Sequence, residues 1–329
     1  MARTTDTIKT VVSKEKEFSF REMEQASNLA FEHELNKVRG LYYGARDSLF
    51  KIFQLIKNKE DFSIEPMLPF SKDFVSQLQI EADTWLQIVY KEEKEEDVVM
   101  HTVLHCLNTT VIAIRIGIGL KLKSDKLETL AILAFFHDVG MLMMPPEIIK
   151  KSGKLSPEEF STIKKHPEYG SNILRKLGEK YKEIADEIYQ EHERYDGSGY
   201  PDGLKHGDIF DYSFIIGISD MYAALIHPRP YRNRYLPFDA VKYIIATAKN
   251  QFPQNIIKAL INEFSGFPKG IYVRLNSKEV GRVVTANKLA PLRPVVEILY
   301  DADGQKMQTL KIVDMTKQHL LQIISAYFE

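Results

Sequence analysis

The sequence predicts a mainly α-helical protein: a helical bundle that ends in a short C-terminal antiparallel β-meander and is preceded by an N-terminal helical module. Three observations carry this expectation. Apolar residues recur at helical spacing from about Phe20 to Lys57 and again from Val98 to about Ala248. Runs rich in β-branched residues are confined to the tail, at Gly270–Leu275, Val280–Thr285 and Val295–Tyr300. Between the helical stretches lies Lys91-Glu-Glu-Lys-Glu-Glu-Asp97, a charged run that reads as a solvated connector. It sets the expected division into a module over 1–97 and a domain over 98–329.

Taken in order, the first ~17 residues are polar and are expected to fray. The helix over Phe20–Lys57 carries Phe31, Leu35, Val38, Tyr42, Ala45, Leu49, Ile52 and Ile56 at alternating spacings of four and three. That is a heptad stripe, and it serves either packing within a bundle or a homodimer formed through residues 31–56. Pro66 and Pro69 interrupt the pattern. A second helix is expected over Ser71–Tyr90, with Phe74, Leu78, Ala82, Trp85 and Val89 on one face. Ser156-Pro157-Glu158-Glu159 is a helix start, with Ser as N-cap, Pro in the first turn and Glu three residues after the cap. Asp196–Gly203 and Pro228–Pro230 concentrate turn formers and read as loops. Asn276-Ser277-Lys278 and Lys288–Pro291 separate the three strands, and a final helix is expected over Thr316–Tyr327.

Composition narrows the function. The 329 residues are 44% hydrophobic and 27% charged, with Lys+Arg 44 against Asp+Glu 45 and a formal net charge of -1. A partner that is a nucleic-acid polymer or an anionic membrane usually demands a basic excess, so neither is expected. An anionic small ligand remains open if one site supplies local positive charge. Cys106 is the single cysteine, so no disulfide forms within the chain, which fits a reducing compartment. The N-terminus lacks the apolar core of a secretory signal. Leu107–Leu120 is broken by Arg115, and Leu130–Met144 by His137 and Asp138. Neither reaches the roughly 20 apolar residues of a spanning helix. The expected location is cytoplasmic.

Of the nine histidines, five in the helical middle stand in informative contexts. His101 and His105, four apart, share a helix face. His137-Asp138 interrupts an otherwise apolar helix that begins Leu130-Ala-Ile-Leu-Ala-Phe-Phe136. Polar groups so placed must be hydrogen-bonded, ion-paired or bound to metal. His166 precedes Pro167, His192 lies between Glu191 and Glu193, and Asp220 follows the apolar run Phe214–Ile218.

Adjacent His137-Asp138 resembles the signature of the HD superfamily of metal-dependent phosphohydrolases. Glu193-Arg194-Tyr195-Asp196-Gly197-Ser198-Gly199-Tyr200-Pro201 resembles the long signature of its HD-GYP branch. The ordered context agrees: His137-Asp138-Val139-Gly140, His166-Pro167-Glu168-Tyr169-Gly170, Ser219-Asp220-Met221-Tyr222-Ala223-Ala224-Leu225 and Arg229-Pro230-Tyr231-Arg232. The resemblance covers roughly 98–329 and implies an HD-type helical fold. It implies hydrolysis of cyclic di-GMP, or of a related cyclic dinucleotide, to the linear dinucleotide and in some members on to GMP. It also implies two or three divalent ions, iron or manganese, and GGDEF-type signalling proteins as partners. Position by position, the implied metal ligands are His105, His137, Asp138, His166, His192 and Asp220. His137 and Asp138 carry the catalytic signature, while Arg229, Arg232 and Tyr200 match substrate-contacting or site-shaping positions. The chemistry suits these residue types. Imidazole binds iron or manganese, a carboxylate can bridge two ions, and hydroxide held between two metals is a nucleophile at neutral pH. Guanidinium grips phosphate bidentately.

Three positions depart from the pattern. Glu191 stands where the family has a histidine, His101 where three-metal members have a glutamate, and Met141 where His-Asp-x-Gly is followed by lysine. The first two offset one another if both His101 and Glu191 bind metal; the alternative is loss of a third site, leaving two ions. Met141 removes a cation that would meet phosphate charge. Lys150, Lys151 and Lys154 follow it in the chain and are candidate substitutes. Met141 also favours a second reading, a degenerate relative that binds metal, with or without nucleotide, but acts as a signalling or interaction module. A purely structural bundle would leave His137-Asp138 unexplained.

Overall fold

The structure, a computed structural model, describes residues 33–80, 82–90, 97–151, 153–227, 234–264, 266–287 and 290–327. The chain divides into two compact units, 1–40 and 41–329. Of the first, the described residues 33–40 are helical. Phe31, the charged run 91–96, the Pro228–Pro230 loop, Arg229 and Arg232 lie outside the described residues.

In the second unit the helix α1 covers 41–57, and its stripe turns inward. Tyr42, Ala45, Leu49, Ile52 and Ile56 are all buried in the protein's own core. The Tyr42 hydroxyl donates to Asn108 Oδ1 at 2.7 Å. This half of the heptad stripe is therefore occupied by internal packing. The expected Ser71–Tyr90 helix is represented by α2 (Leu68–Ile80) and α3 (Ala82–Val89). Their apolar faces meet through Phe74, whose ring lies 4.4 Å from Trp85 and 5.4 Å from Phe135.

At the centre runs α4 (Val98–Gly119), which packs against α2, α3, α5 (Ser124–Phe136), α10 (Asp211–Ile226) and α12 (Gln254–Phe264). Asp97 caps it, accepting from the Met100 amide at 2.9 Å. Among the described residues α4 is the one helix long and apolar enough to cross a membrane, but most of it is buried inside the protein. Its composition reflects a position surrounded by other helices. The remaining helices are α6 (Pro146–Ile149), α7 (Pro157–Ile163), α8 (His166–Arg175), α9 (Lys182–Tyr189) and α11 (Pro237–Ala248). α7 opens as the sequence predicts: Ser156 Oγ accepts from the Glu159 amide at 3.2 Å, and Glu159 Oε2 accepts from the Ser156 amide at 2.7 Å.

Two expectations are corrected. His137-Asp138 does not lie within a helix; α5 ends at Phe136 and the chain tightens into a short 3-10 segment, Val139–Met143. The Thr316–Tyr327 segment is not a helix. The tail is a five-stranded antiparallel sheet of β1 (Tyr272–Leu275), β2 (Val280–Thr285), β3 (Val295–Tyr300), β4 (Lys306–Asp314) and β5 (Ile323–Tyr327), in the order β4-β3-β2-β1-β5. β5 pairs with β1, Val273 opposite Ala326. The unpaired edge of β1 offers backbone partners that outweigh the segment's helical pattern. Val273, Leu275, Val283, Val296 and Ile298 form the sheet's own core.

The start of α10 is pinned from α9. Glu187 Oε2 accepts from the Ser213 amide at 3.1 Å and from its hydroxyl at 3.0 Å. Burial, with Asp211 and Glu183 nearby, pushes the Glu187 carboxyl up to about 7. Its ordinary value is 4.5. The folded state therefore holds a proton that the unfolded chain has released, and stability falls as pH rises from 4.5 to about 7. Glu187→Gln removes this contribution. Urea unfolding at pH 5 and pH 7.5 should show the variant gaining on the wild type by on the order of 2 kcal/mol at the higher pH. Parallel pH dependences would refute this.

Candidate metal centre

Five segments converge on one cluster. α4 presents His105, the end of α5 presents His137 and Asp138, the start of α8 presents His166, the turn after α9 presents Glu191 and His192, and α10 presents Asp220. Close backbone approach makes this possible. A Cβ on Gly140 would lie 1.9 Å from the His166 carbonyl oxygen, so glycine alone lets the His137–Gly140 turn seat against α8. A Cβ on Gly199 would lie 2.5 Å from the His192 carbonyl oxygen, which explains the glycine that folds the signature loop back on its own start.

The donor atoms form two groups, Asp138, His166, Glu191 and His192 in one and His105, His137 and Asp220 in the other; within each, all donors lie within 4.8 Å of one another. Asp138 joins them. Its Oδ1 is 3.3 Å from His166 Nε2, and its Oδ2 is 3.6 Å from His105 Nε2 and 3.8 Å from His137 Nε2. His105 Nε2 also lies 2.9 Å from Asp220 Oδ1. His166 Nε2 is 3.2 Å from Glu191 Oε1 and 3.0 Å from His192 Nε2.

The arrangement fits divalent ions on its own atoms. His137 Nδ1 donates to the Ala134 carbonyl at 2.9 Å and His166 Nδ1 to the Ile163 carbonyl at 2.8 Å. Those bonds fix the tautomer that turns a bare Nε2 inward, the usual support of a metal-binding histidine. His137 Nε2 and Glu191 Oε2 are buried with no hydrogen-bond partner. Orphaned acceptors of this kind are costly unless a cation receives their lone pairs. The same neighbours set the charge states of the acids. Burial alone would raise the Asp138 carboxyl, but His137, His166 and His105 hold it below the ordinary carboxylate value. Asp220 is likewise held low against its burial, chiefly by the hydrogen bond from His105. Burial, and then His166, push His192 well below its usual value, keeping it neutral. Burial also raises the Glu191 carboxyl well above the ordinary range, a shift that a bound dication reverses.

The structure treats the two exchanged positions differently. Glu191, 1% exposed, is inside the cluster. His101 is exposed and belongs to neither group. Tyr200 stacks on His192 with ring centroids 4.7 Å apart and an interplanar angle of 18°. Lys164 Nζ lies 5.2 Å from the Tyr200 ring centroid. Lys151 is held by Glu159 at 2.6 Å, and Lys150 and Lys154 are exposed.

Two residues that the signature contains, but to which the sequence assigns no role, support the site. Glu193, 1% exposed, accepts from the amides of Asp202, Gly203 and Leu204 at 2.7, 3.1 and 2.9 Å and so ties down the loop after Pro201. Arg194 Nη1 donates to the Glu191 and Glu193 carbonyls at 3.1 and 2.9 Å. Charged residues in a Gly-rich segment read as surface, and no periodicity marks these two as internal; their place at the head of the signature, next to His192, is the available signal.

Residues 87–256 match the model of the HD domain, and residues 272–329 match a KOW domain associated with HD domains. The chain belongs to the HD-domain family. Its relatives support the HD-GYP branch. A cyclic di-GMP phosphodiesterase of Pseudomonas aeruginosa is 26% identical over 70% of this chain and 54% of its own length. Another, from Borreliella burgdorferi, is 27% identical over 68% of this chain and 56% of its own. A 3'3'-cGAMP-specific phosphodiesterase of Vibrio cholerae is 33% identical over 40% of this chain and 25% of its own. The chain thus spans about half the length of the first two. The HD fold is shared with an HDG"Y"P protein of Bdellovibrio bacteriovorus, at a TM-score of 0.57 and 17% identity over 69% of this chain and 71% of that one.

Proposed function

We propose that this HD-domain protein is a metal-dependent phosphodiesterase that opens cyclic di-GMP, or the related cyclic GMP-AMP, to the linear dinucleotide and onward to GMP. The observation that carries the reading is Asp138, whose two oxygens reach into both donor groups. That geometry fits two ions sharing one carboxylate. His166, Glu191 and His192 would complete one coordination sphere and His105, His137 and Asp220 the other. The donors are imidazole and carboxylate without thiolate, a set suited to iron or manganese. When bound, such ions supply a nucleophile at neutral pH and charge neutralisation at phosphorus. Four neutral imidazoles and three carboxylates around two dications leave net positive charge, which favours an anionic phosphodiester.

The chain's own residues do the rest. The Ala134 and Ile163 carbonyls hold His137 and His166 in register, and Glu193 and Arg194 hold the His192 segment and its loop. Tyr200 shields His192 on one ring face and shapes the substrate path. Arg229 and Arg232 are assigned to the substrate phosphates by their match to the family pattern. Residues 1–97 are assigned to input and association, with GGDEF-type proteins as candidate partners. The single buried Cys106 fits a reducing, cytoplasmic setting.

Incubation of the full-length, metal-loaded protein with cyclic di-GMP and with cyclic GMP-AMP, followed by chromatographic separation of products, tests the reading. The expected products are the linear dinucleotide and, on further turnover, GMP. Protein that carries two ions and opens neither substrate would instead support the signalling-module reading that Met141 favours.

A further inference from the structure

A recess lies where the helices meet the sheet, and none of its lining residues belongs to the metal centre. We propose that it binds a guanine base by its lactam edge. Arg115, from α4, lines it and is 5% exposed. Its Nη2 is engaged by Glu263 Oε2 at 2.8 Å, but its Nε and Nη1 have no hydrogen-bond partner. Asp83 Oδ1, the nearby acid, is 3.7 Å from Nη1, beyond hydrogen-bond reach. A buried guanidinium with two unmet donors calls for an acceptor from outside the chain.

Charge and shape define that acceptor. One guanidinium faces two carboxylates, Asp83 and Glu263, so the recess does not favour an added anion such as phosphate. The complementary ligand is neutral, with acceptors for Arg115 and N–H donors for a carboxylate. Tyr90, Phe264 and Phe267 also line the recess and favour a planar ring. Guanine meets all three demands: O6 and N7 accept from a guanidinium, and N1–H with the 2-amino group donates to a carboxylate. Asp83 is the available carboxylate, since Glu263 is occupied by Arg115. Adenine presents a donor where guanine presents O6 and does not fit.

The recess shares its walls with the centre's supports. Arg115 and His105 are on one helix, the Tyr90 hydroxyl lies 2.9 Å from that of Tyr222, and the rings of Tyr222 and Phe264 are 4.6 Å apart. Tyr222 is two residues past Asp220. The inference holds whether or not the centre hydrolyses a cyclic dinucleotide.

Calorimetric titration of the full-length, metal-loaded protein with guanosine, which carries no phosphate, tests it. Saturable binding is expected, at least tenfold weaker for adenosine and for 1-methylguanosine. It should weaken at least tenfold in both Asp83→Asn, at a half-exposed surface position, and Ala286→Trp, which fills the recess. It should persist in Asp138→Asn. No saturable binding up to millimolar guanosine, binding indifferent to the base or to either recess variant, or binding lost in Asp138→Asn would overturn the proposal.

Discussion

Asp138→Ala should leave a folded protein that no longer responds to metal. Adding manganese to metal-free wild type should raise its melting temperature. A ligand at a hundred times its dissociation constant stabilises by about 2.7 kcal/mol. The variant should gain almost nothing, because both donor groups lose the carboxylate that joins them. Its hydrolysis of cyclic di-GMP should fall by at least about 10²-fold, the scale of losing one preorganised electrostatic contact. Stability without metal should fall as well, because His137, His166 and His105 lose the carboxylate they face, an attraction larger than the repulsion from Asp220. Differential scanning fluorimetry with and without manganese separates these effects. Equal metal-induced shifts in variant and wild type would rule out a bridging role for Asp138.

Met141→Lys should raise turnover by up to 10²–10³-fold, with a smaller change in KM, because an ammonium there would strengthen its contact as phosphate charge develops. Met141 is half-buried in the 3-10 segment that directly follows Asp138. The structure narrows the possible substitutes for the missing cation. Lys151 is committed to Glu159, whereas Lys164 lies over Tyr200, which stacks on His192. A melting curve of the variant controls for the burial of charge. A folded, metal-loaded Met141→Lys protein with unchanged turnover would assign the cationic role elsewhere, and loss of activity in Lys164→Met would then locate it.

The helical part of the fold was legible because its signals are local. Heptad spacing, the Ser156 capping box and apolar periodicity each act within a few turns, and the structure honours them. The tail was less so. Leu320, Leu321 and Ile324 satisfy helical spacing, yet Leu320 and Ile324 are exposed and the segment is placed by pairing with β1, a partner some fifty residues away in sequence. Lys306–Asp314, flanking β3 on the other side, likewise shows a mostly exposed pattern with little alternation to mark it as a strand. At the site, residue types and order pointed to His105, His137, Asp138, His166, His192 and Asp220, which the fold brings together. What the sequence could not divide was the pair of exchanges. Glu191 enters the cluster because it precedes His192 in a buried turn. His101, one helical turn before His105, faces outward, so shared face on a helix does not ensure shared reach.

Metal content is the most direct test of the central claim. Full-length protein, purified without chelator, resupplied with iron or manganese and freed of loose ions, should carry two ions per chain by elemental analysis, as the two donor groups joined by Asp138 require. Fewer than one ion per chain would contradict it.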